Sequence, residues 1–405
     1  MTTPLIPSRR GKPGDDPIFA LNAEANARRA RGESVVNATL GALMDDAGAL
    51  AILPAAAQAM RDVPPAEWAA YAPISGPRDF LEAVANDVFA KAAPARRSEL
   101  ASCATPGGTG ALRHAIALCL EPGQSLLCSS FYWGPYATLA EETGRSLATF
   151  RMFDAAGALD AGDLDRAMGA LVRGQGRVLL IVNDPCHNPT GYAMSAADWD
   201  AVVAVVLRHA ASAPVAVLLD APYAAYGPAG ATDLAMAALE RIAARATVLH
   251  AWSASKAFTH YGLRVGALLA VVPDAAERAD MAAAMAFACR GTWSNCNRGG
   301  IWAITRLLVE PARAAAVARE RAGLRALLAD RVRTFNARAG GRLAYPRYEG
   351  GFFVTVFTEQ PEAACARMRA DGCYAVPVDG GIRVGICAVR AADVPRLTDA
   401  LVAAL

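Results

Sequence analysis

TVLHAWSASKAFTHYGLRVGALLAVV, residues 247–272, carries more structural information than any other stretch of this chain. Two apolar runs, with the composition of buried strands, enclose a segment of small polar residues. That segment holds Lys256, followed eight residues later by Arg264. The chain has only three lysines, Lys12, Lys91 and Lys256, which reflects a general bias toward arginine. The residues around Lys256 are therefore more informative than the small number of lysines, because an amine between polar groups can form a Schiff base with an aldehyde.

Apolar runs and amphipathic stretches alternate on both sides of this segment. Continuous apolar runs that end in small or polar residues predict buried strands at 125–130, 177–184, 215–222, 247–254 and 266–272. Stretches with helical spacing, such as SAADWDAVVAVVLRHA, lie between them. The alternation predicts an α/β fold, a three-layer α/β/α sandwich with a mostly parallel sheet.

The pattern changes toward the C-terminus. The alanine- and arginine-rich stretch 299–338 predicts helix, which Pro311 kinks or divides. Strand (GGFFVTVF), helix (PEAACARMRA), strand (YAVPV), strand (IRVGICAV) and helix (VPRLTDALVAA) follow, which predicts a small α+β unit. We expect the N-terminal segment to pack with this unit. The predicted domains are therefore a large one, 49–310, and a small one, 1–48 with 311–405, that carries an N-terminal arm.

Composition excludes several classes of protein. With 405 residues, 54% hydrophobic and 19% charged, the chain is predicted to be globular. A net charge of +2 and scattered arginines argue against nucleic-acid binding. We expect neither a signal peptide nor a membrane span, because no apolar run is long enough. Nine cysteines without a CxxC pair, mainly in apolar settings such as Cys119, Cys128 and Cys289, predict reduced thiols and a cytoplasmic protein. The histidines show no metal-binding spacing.

Ligands of open α/β sheets bind beyond the carboxyl ends of the strands, and two motifs lie at such places. In CATPGGTG, Gly107, Gly108 and Thr109 precede an amphipathic helix and offer N–H groups and a hydroxyl to a phosphate. Glycine-rich turns of this kind are also common without a ligand. In HNPTG, residues 187–191, the turn leaves Asn188 facing the strand ends, although a turn with a helix cap has the same pattern.

Two further motifs supply charged groups. In VLLDAPYAAYG, Asp220 ends a buried strand and needs a cationic or protonated partner, either a pyridine nitrogen or an arginine. In SASKAFTHYGLRVG, Ser253 and Arg264 suit the oxygens of a phosphate, and Lys256 between them can reach an aldehyde on the same ligand. The four motifs together fit a phosphorylated pyridine aldehyde.

On these motifs the chain resembles the fold type I pyridoxal-phosphate enzymes, and more narrowly the class I aminotransferases, over nearly its whole length. The resemblance implies that Lys256 holds pyridoxal 5'-phosphate as a Schiff base and that Asp220 pairs with the pyridine nitrogen. It also implies that Tyr223 and Asn188 bind the ring oxygen of the cofactor. The phosphate ligands would be Gly108, Thr109, Ser253 and Arg264.

Other segments extend the resemblance. FYWGPY resembles the segment whose aromatic residue stacks on the cofactor ring, which points to Trp133, although a core aromatic would fit the same pattern. YAPISG resembles the segment whose tyrosine, here Tyr71, reaches the phosphate in the neighbouring subunit, which implies a homodimer with shared active sites. VNATLGAL places Gly41 near the substrate. DPIFALN resembles an N-terminal arm that wraps the partner subunit.

The resemblance also assigns substrate contacts. Arg383 in IRVGICAV matches the arginine that clamps the substrate carboxylate, whereas its position alone is typical of a surface residue. Asn188 and Trp133 would line the substrate site. Arg290 in CRGTWSN matches the arginine that, in aspartate aminotransferases, recognises the distal carboxylate of aspartate or glutamate from the partner subunit. In aromatic aminotransferases this arginine can swing away to admit a ring. WSNCNRGG stands where a proline-rich segment is usual, which leaves the shape of the distal pocket open.

The implied activity is a ping-pong transfer of an α-amino group between an acidic or aromatic amino acid and a 2-oxo acid. Lys256 would act as general base, with Asp220 and Tyr223 supporting it through the cofactor. A lyase, decarboxylase or oxidase of the same fold shares the four motifs. A cofactor-binding transcription regulator and a Rossmann-type binding protein with a structural Lys256 are further alternatives. No metal, nucleic-acid or membrane partner is expected.

Overall fold

A seven-stranded sheet forms the centre of the fold in the computed structural model, which describes residues 3–12, 14, 17–89 and 94–405. The strands of the chain are β1 (Val36–Asn37), β2 (Leu100–Pro106), β3 (Ser125–Ser129), β4 (Ser146–Phe150), β5 (Val178–Asn183), β6 (Val215–Asp220), β7 (Thr247–Ser253), β8 (Val265–Val271), β9 (Val354–Phe357), β10 (Cys373–Tyr374), β11 (Val376–Val378) and β12 (Gly381–Val384). The central sheet has the order β2-β8-β7-β6-β5-β3-β4, and β8 runs antiparallel to both of its neighbours.

Helices cover both faces of this sheet. The α-helices of the described residues are α1 (Pro17–Ala30), α2 (Pro54–Arg61), α3 (Pro65–Ala69), α4 (Arg78–Phe89), α5 (Gly107–Cys119), α6 (Pro135–Glu142), α7 (Ala161–Gln175), α8 (Ala196–Ala210), α9 (Ala231–Ile242), α10 (Ala254–Ala257), α11 (Ala275–Thr292), α12 (Arg298–Val309), α13 (Pro311–Ala339), α14 (Pro361–Ala370) and α15 (Val394–Ala404). Helices α5, α6 and α11 pack on one face, and α2, α4, α7, α8, α9 and α12 pack on the other. The predicted three-layer sandwich is thereby confirmed.

The alternation of side chains along each strand positions the functional residues. In β6, Ala216 and Leu218 face α5 and α6, whereas Val217 and Leu219 face the opposite layer. Because side chains alternate between the two faces of a strand, Asp220 at the carboxyl end of β6 also lies on the face toward α5 and α6.

The five strands predicted from apolar runs are present as β3, β5, β6, β7 and β8. Strand β8 is antiparallel because only residues 254–264 connect it to β7, and this connection contains no helix long enough for a crossover. The prediction missed β2, which leads into the glycine-rich turn, and β4, which is partly exposed and lacks a continuous apolar run.

The C-terminal unit forms a second core. The three-stranded antiparallel sheet β11-β12-β9 packs with α14, α15 and the C-terminal half of α13. β1 pairs in parallel with β10, so Val36 and Asn37 of the N-terminal segment lie against this unit. Helix α12 ends at Val309 and α13 begins at Pro311, so the proline divides the predicted helix. The domain boundaries at 48/49 and 310/311 stay predictions.

Three predicted strands in this unit differ in extent. The strand predicted in GGFFVTVF begins only at Val354, and YAVPV is interrupted at Ala375 between β10 and β11. The strand predicted in IRVGICAV was wrong in its second half, because β12 ends at Val384 and a 3-10 helix, Ile386–Ala388, follows. The first residue of the predicted arm segment DPIFALN, Asp16, lies outside the described residues, and the rest belongs to the start of α1. No described helix has both the length and the apolar surface needed to cross a membrane.

A buried arginine joins the N-terminal segment to the C-terminal unit. Arg331 of α13 is fully buried and donates to the carbonyl oxygens of Cys387 and Met44, each at 2.9 Å. It also forms an ion pair with Asp46 at 2.8 Å. Three acceptors from two distant parts of the chain therefore depend on one guanidinium.

Replacing Arg331 tests this junction. We expect Arg331→Ala to lower the free energy of unfolding by about 3 kcal/mol, because buried carbonyls lose their donor. Arg333→Ala is the matched control, since Arg333 lies on the same helix and forms an exposed pair with Asp330. In denaturant unfolding, the free energy of unfolding of the control should differ from that of the wild type by no more than about 0.5 kcal/mol. Equal stabilities of the two variants would contradict the role of Arg331.

Candidate active site

A cavity of about 230 Å³ lies beyond the carboxyl ends of β5, β6 and β7, next to the start of α5. Nine of the residues predicted to bind the cofactor line it: Gly108, Thr109, Trp133, Asn188, Asp220, Tyr223, Ser253, Lys256 and Arg264. Residues that are far apart in the sequence thus meet at one edge of the sheet, as expected for an open α/β fold.

One end of the cavity is suited to a phosphate. Helix α5 begins at Gly107 without a side-chain cap, so its first N–H groups are available to an anion. Arg264 donates to Ser255 Oγ at 3.1 Å and to the Tyr261 carbonyl at 2.8 Å, which holds its guanidinium beside this turn. Gly107 has φ +69°, and a Cβ atom there would lie 2.2 Å from Arg264 Nη2. The turn therefore requires glycine both for its conformation and for the approach of the arginine.

The opposite end holds a buried carboxylate. Asp220 is 5% exposed, and its Oδ2 accepts hydrogen bonds from Tyr136 Oη at 2.5 Å and Asn183 Nδ2 at 3.1 Å. These partners in the described part of the chain are neutral, and burial raises the pKa of Asp220 to about 6. Of the two partners considered from the sequence, a protonated ring nitrogen fits this setting better than an arginine.

Lys256 projects into the cavity between these two ends. Its Nζ donates to the Gly41 carbonyl at 2.7 Å and lies 4.5 Å from the centre of the Tyr261 ring. Burial lowers the pKa of Lys256 to about 8, with smaller contributions from nearby charges, Arg264 and Arg383 among them. A lower pKa increases the neutral fraction of the amine, and the neutral amine is the nucleophilic form.

A second, larger cavity of about 600 Å³ adjoins the first and shares Trp133 and Asn188 with it. Arg383 lines this second cavity and is held by a 2.8 Å hydrogen bond from Nη2 to the Thr39 carbonyl. Its guanidinium carbon lies 4.7 Å from the centre of the Phe353 ring. A fixed guanidinium beside the first cavity is suited to binding a carboxylate.

Three predicted residues line neither cavity in this single chain: Gly41, whose carbonyl accepts a hydrogen bond from Lys256, and the two exposed residues Tyr71 and Arg290. Tyr71 is 86% exposed. Arg290 is exposed at the end of α11, and its Nη1 donates to Ser294 Oγ at 2.7 Å. Both were predicted to act across a subunit boundary, so their roles stay predictions.

The segment that departs from the family pattern has a local structural function. Asn297 caps α12 by accepting a hydrogen bond from the Gly300 N–H at 3.0 Å, and Cys296 is buried. Gly41, which was predicted to lie near the substrate, packs closely against Phe353, because a Cβ atom at Gly41 would lie 2.8 Å from Phe353 Cζ.

Among the residues that sequence reasoning missed, three have polar groups or rings close to Asp220 or Lys256. Asn183 and Tyr261 line the first cavity, and Tyr136 donates to Asp220. Asn183 ends β5 directly opposite Asp220 in the sheet register. The position of Asn183 at a strand end could have identified it from the sequence as a candidate site residue. Tyr136 is identified only by the packing of α6 against the sheet.

Comparisons with known proteins agree with this geometry. A family model described as "Aminotransferase class I and II" matches residues 33–401. The chain is 31% identical over 301 residues to the aromatic-amino-acid aminotransferase of Paracoccus denitrificans, covering 73% of each chain. The chain belongs to the class I and II aminotransferases.

Two further similarities support this assignment. The aspartate aminotransferase of Pseudomonas aeruginosa is 29% identical over 305 residues, which is 73% of each chain. The crystal structure of an aminotransferase from Anaerococcus prevotii superimposes with a TM-score of 0.92 at 29% identity and covers 99% of both chains. The predicted family and fold are thereby confirmed, and pyridoxal phosphate is the cofactor of this aminotransferase.

The residues present fit this cofactor. The uncapped start of α5 with Arg264 suits the phosphate, and the buried Asp220 suits a protonated ring nitrogen. Lys256 lies in the same cavity, where an aldehyde would be placed. When bound, pyridoxal phosphate withdraws electrons from the α-carbon of an attached amino acid.

Gly107→Ala tests the phosphate end of the cavity. The added methyl group would be strained at positive φ and would displace Arg264, so we expect the affinity for pyridoxal phosphate to fall about tenfold or more. Gly174→Ala in α7 is the control, because a Cβ atom there meets nothing within 4 Å. Fluorescence titration of the cofactor-free proteins measures both affinities. An unchanged affinity of Gly107→Ala would place the phosphate elsewhere.

Proposed function

We propose that this aminotransferase exchanges the α-amino group between an aromatic or acidic amino acid and a 2-oxo acid in a ping-pong reaction. The observation that carries the proposal is the position of the Lys256 amine. It lies between a phosphate-binding turn and a buried carboxylate, in a cavity that adjoins a second one lined by Arg383.

The roles of the side chains follow from their positions. Lys256 would hold the cofactor covalently through its amine and, as a free amine, would accept the α-proton of the amino acid and return it. Asp220 would keep the ring nitrogen protonated, while Tyr223 and Asn188 would donate to the ring oxygen. Arg383 binds the α-carboxylate and so orients the amino acid toward Lys256.

The second cavity supports an aromatic side chain as substrate. Phe131, Tyr132 and Trp133 line it, and rings pack favourably against rings. The Paracoccus relative is named for aromatic amino acids and the Pseudomonas relative for aspartate. Acceptance of acidic substrates would depend on Arg290, which lies outside the cavities of one chain.

We also propose a cytoplasmic homodimer. Trp68, Tyr71 and Phe287 are large aromatic residues that are 65%, 86% and 83% exposed in the single chain. Burial of such rings favours association with a second copy. In that arrangement Tyr71 would reach the phosphate site of the partner, and Arg290 its substrate site. All nine cysteines are free thiols, which agrees with a reducing compartment.

A lyase, decarboxylase or oxidase would share the cofactor but would not complete the first half-reaction. The test is to add single amino acids without a 2-oxo acid and to follow the absorbance of the bound cofactor. Conversion to the aminated form, with release of the matching 2-oxo acid, supports transamination. Absence of this conversion with every amino acid would overturn the proposal.

Lys256→Ala tests the assignment of the essential amine. We expect the variant to fold, to lose covalent attachment of pyridoxal phosphate, and to lose at least about 10³-fold in kcat, because no other amine replaces the general base. Lys12→Ala is the control, since Lys12 lies on the surface and pairs with Glu141. Borohydride reduction followed by mass spectrometry locates the attached cofactor. Retained activity in Lys256→Ala would favour a structural lysine.

Arg290→Ala tests the distal carboxylate site. We expect kcat/KM for aspartate and glutamate to fall about 100-fold, while values for phenylalanine and tyrosine change little, because only acidic substrates need the guanidinium. Arg278→Ala, in the first turns of the same helix, is the control. A panel of amino acids measures all variants under the same conditions. Equal losses for both substrate classes would exclude a role in discrimination.

A further inference from the structure

Tyr136 lies beside the active site but has no role in the chemistry described above. It belongs to α6, is 1% exposed, and its phenol oxygen lies 2.5 Å from Asp220 Oδ2. A short hydrogen bond between two buried groups is specific, because neither of them can exchange its partner for water.

The same tyrosine also contacts the ring-stacking residue. The rings of Tyr136 and Trp133 meet edge to face, with centroids 5.6 Å apart and planes at 87°. Trp133 precedes α6 and lines both cavities. Tyr136 therefore connects the residue proposed to stack on the cofactor ring with the residue proposed to bind its nitrogen.

Asn183 supports the carboxylate from the neighbouring strand. Its Nδ2 donates to Asp220 Oδ2 at 3.1 Å and to the Asp220 carbonyl at 2.8 Å. Its Oδ1 accepts from the backbone N–H of Asn188 at 2.6 Å. Two neutral donors from the described part of the chain thus converge on a single carboxylate oxygen, Asp220 Oδ2.

We propose that Tyr136 is a positioning residue that keeps the cofactor's proton on the ring nitrogen by lowering the basicity of Asp220. This inference rests on the proposed function, since it concerns the same carboxylate. A proton between a carboxylate and a pyridine nitrogen lies on whichever group is more basic. A donor to the carboxylate stabilises its negative charge, so the proton stays on the nitrogen.

The burial of both groups strengthens the effect. Burial alone raises the pKa of Asp220, and the hydrogen bonds from Tyr136 and Asn183 lower it again. Burial and the adjacent carboxylate raise the pKa of Tyr136 well above its ordinary value, so the phenol remains a donor throughout the pH range in which enzymes act. A tyrosine therefore supplies a donor whose protonation state stays constant.

Tyr136→Phe tests this role by removing only the hydroxyl group. The protein is reconstituted with pyridoxal phosphate that carries ¹⁵N in its ring, and the nitrogen chemical shift is recorded. We expect the shift to move toward the value of an unprotonated pyridine, because the proton moves toward Asp220. We also expect kcat to fall about 10- to 100-fold without a comparable change in KM, which reflects the loss of one hydrogen bond to a charged group.

Tyr192→Phe is the matched control. Tyr192 is also a buried phenol that donates to a carboxylate, Asp198 Oδ2, at 2.8 Å, but it does not line the first cavity. We expect Tyr192→Phe to lose about as much stability as Tyr136→Phe and to keep the ring-nitrogen chemical shift of the wild type. An unchanged shift and kcat in Tyr136→Phe, at the same loss of stability, would overturn the inference and leave Tyr136 as a packing residue.

The outcome is separable from that of the proposed function. If the wild-type protein transaminates and Tyr136→Phe does not differ from it, only the inference fails. If the wild-type protein does not aminate its cofactor, the proposed function fails, and the nitrogen shift still reports on Tyr136. Should Tyr136→Phe not fold, Asn183→Ala removes the other donor to the same oxygen, and its nitrogen shift must move in the same direction or the inference is wrong.

Discussion

The active site depends on one electrostatic constraint, the burial of the Asp220 carboxylate at the end of a central strand. Its donors, Tyr136 and Asn183, are neutral, so the carboxylate has hydrogen bonds but no ion pair from these partners. Burial of a charge without a counter-charge is unfavourable, and a bound cation relieves this cost. In the proposed function the protonated ring of pyridoxal phosphate would be this cation, and the glycine-rich turn at the other end of the cavity would bind its phosphate.

The sheet provides the rigidity that this arrangement needs. Asn183 and Asp220 are paired in the register of β5 and β6, and Ser253 ends the next strand. The N-terminus of α5 approaches from the same face of the sheet. Because each group is placed by the end of a regular element, its position follows from backbone hydrogen bonding and does not depend on a long loop.

The C-terminal unit completes the site from the other side. It supplies Arg383 from β12 and Phe353, whose ring lies against both that arginine and Gly41. The Gly41 carbonyl accepts a hydrogen bond from Lys256. The N-terminal segment, the large sheet and the C-terminal unit therefore meet at the lysine, and Arg331 holds the first and last of these together.

The local sequence alone determined the strands, the glycine-rich turn and the types of chemistry at the strand ends. Apolar runs specify buried strands, and a charged group such as Asp220 at the end of a buried strand needs a partner that compensates its charge. The edge strand β4 escaped prediction because it is partly exposed, and the reversal of β8 depends on the length of its connection. Only the tertiary structure decided that Tyr136 reaches Asp220 and that Tyr71 and Arg290 lie outside the cavities of a single chain. The physical reason is that periodicity and composition report on the environment of a residue, whereas a contact between distant residues depends on how the helices pack against the sheet.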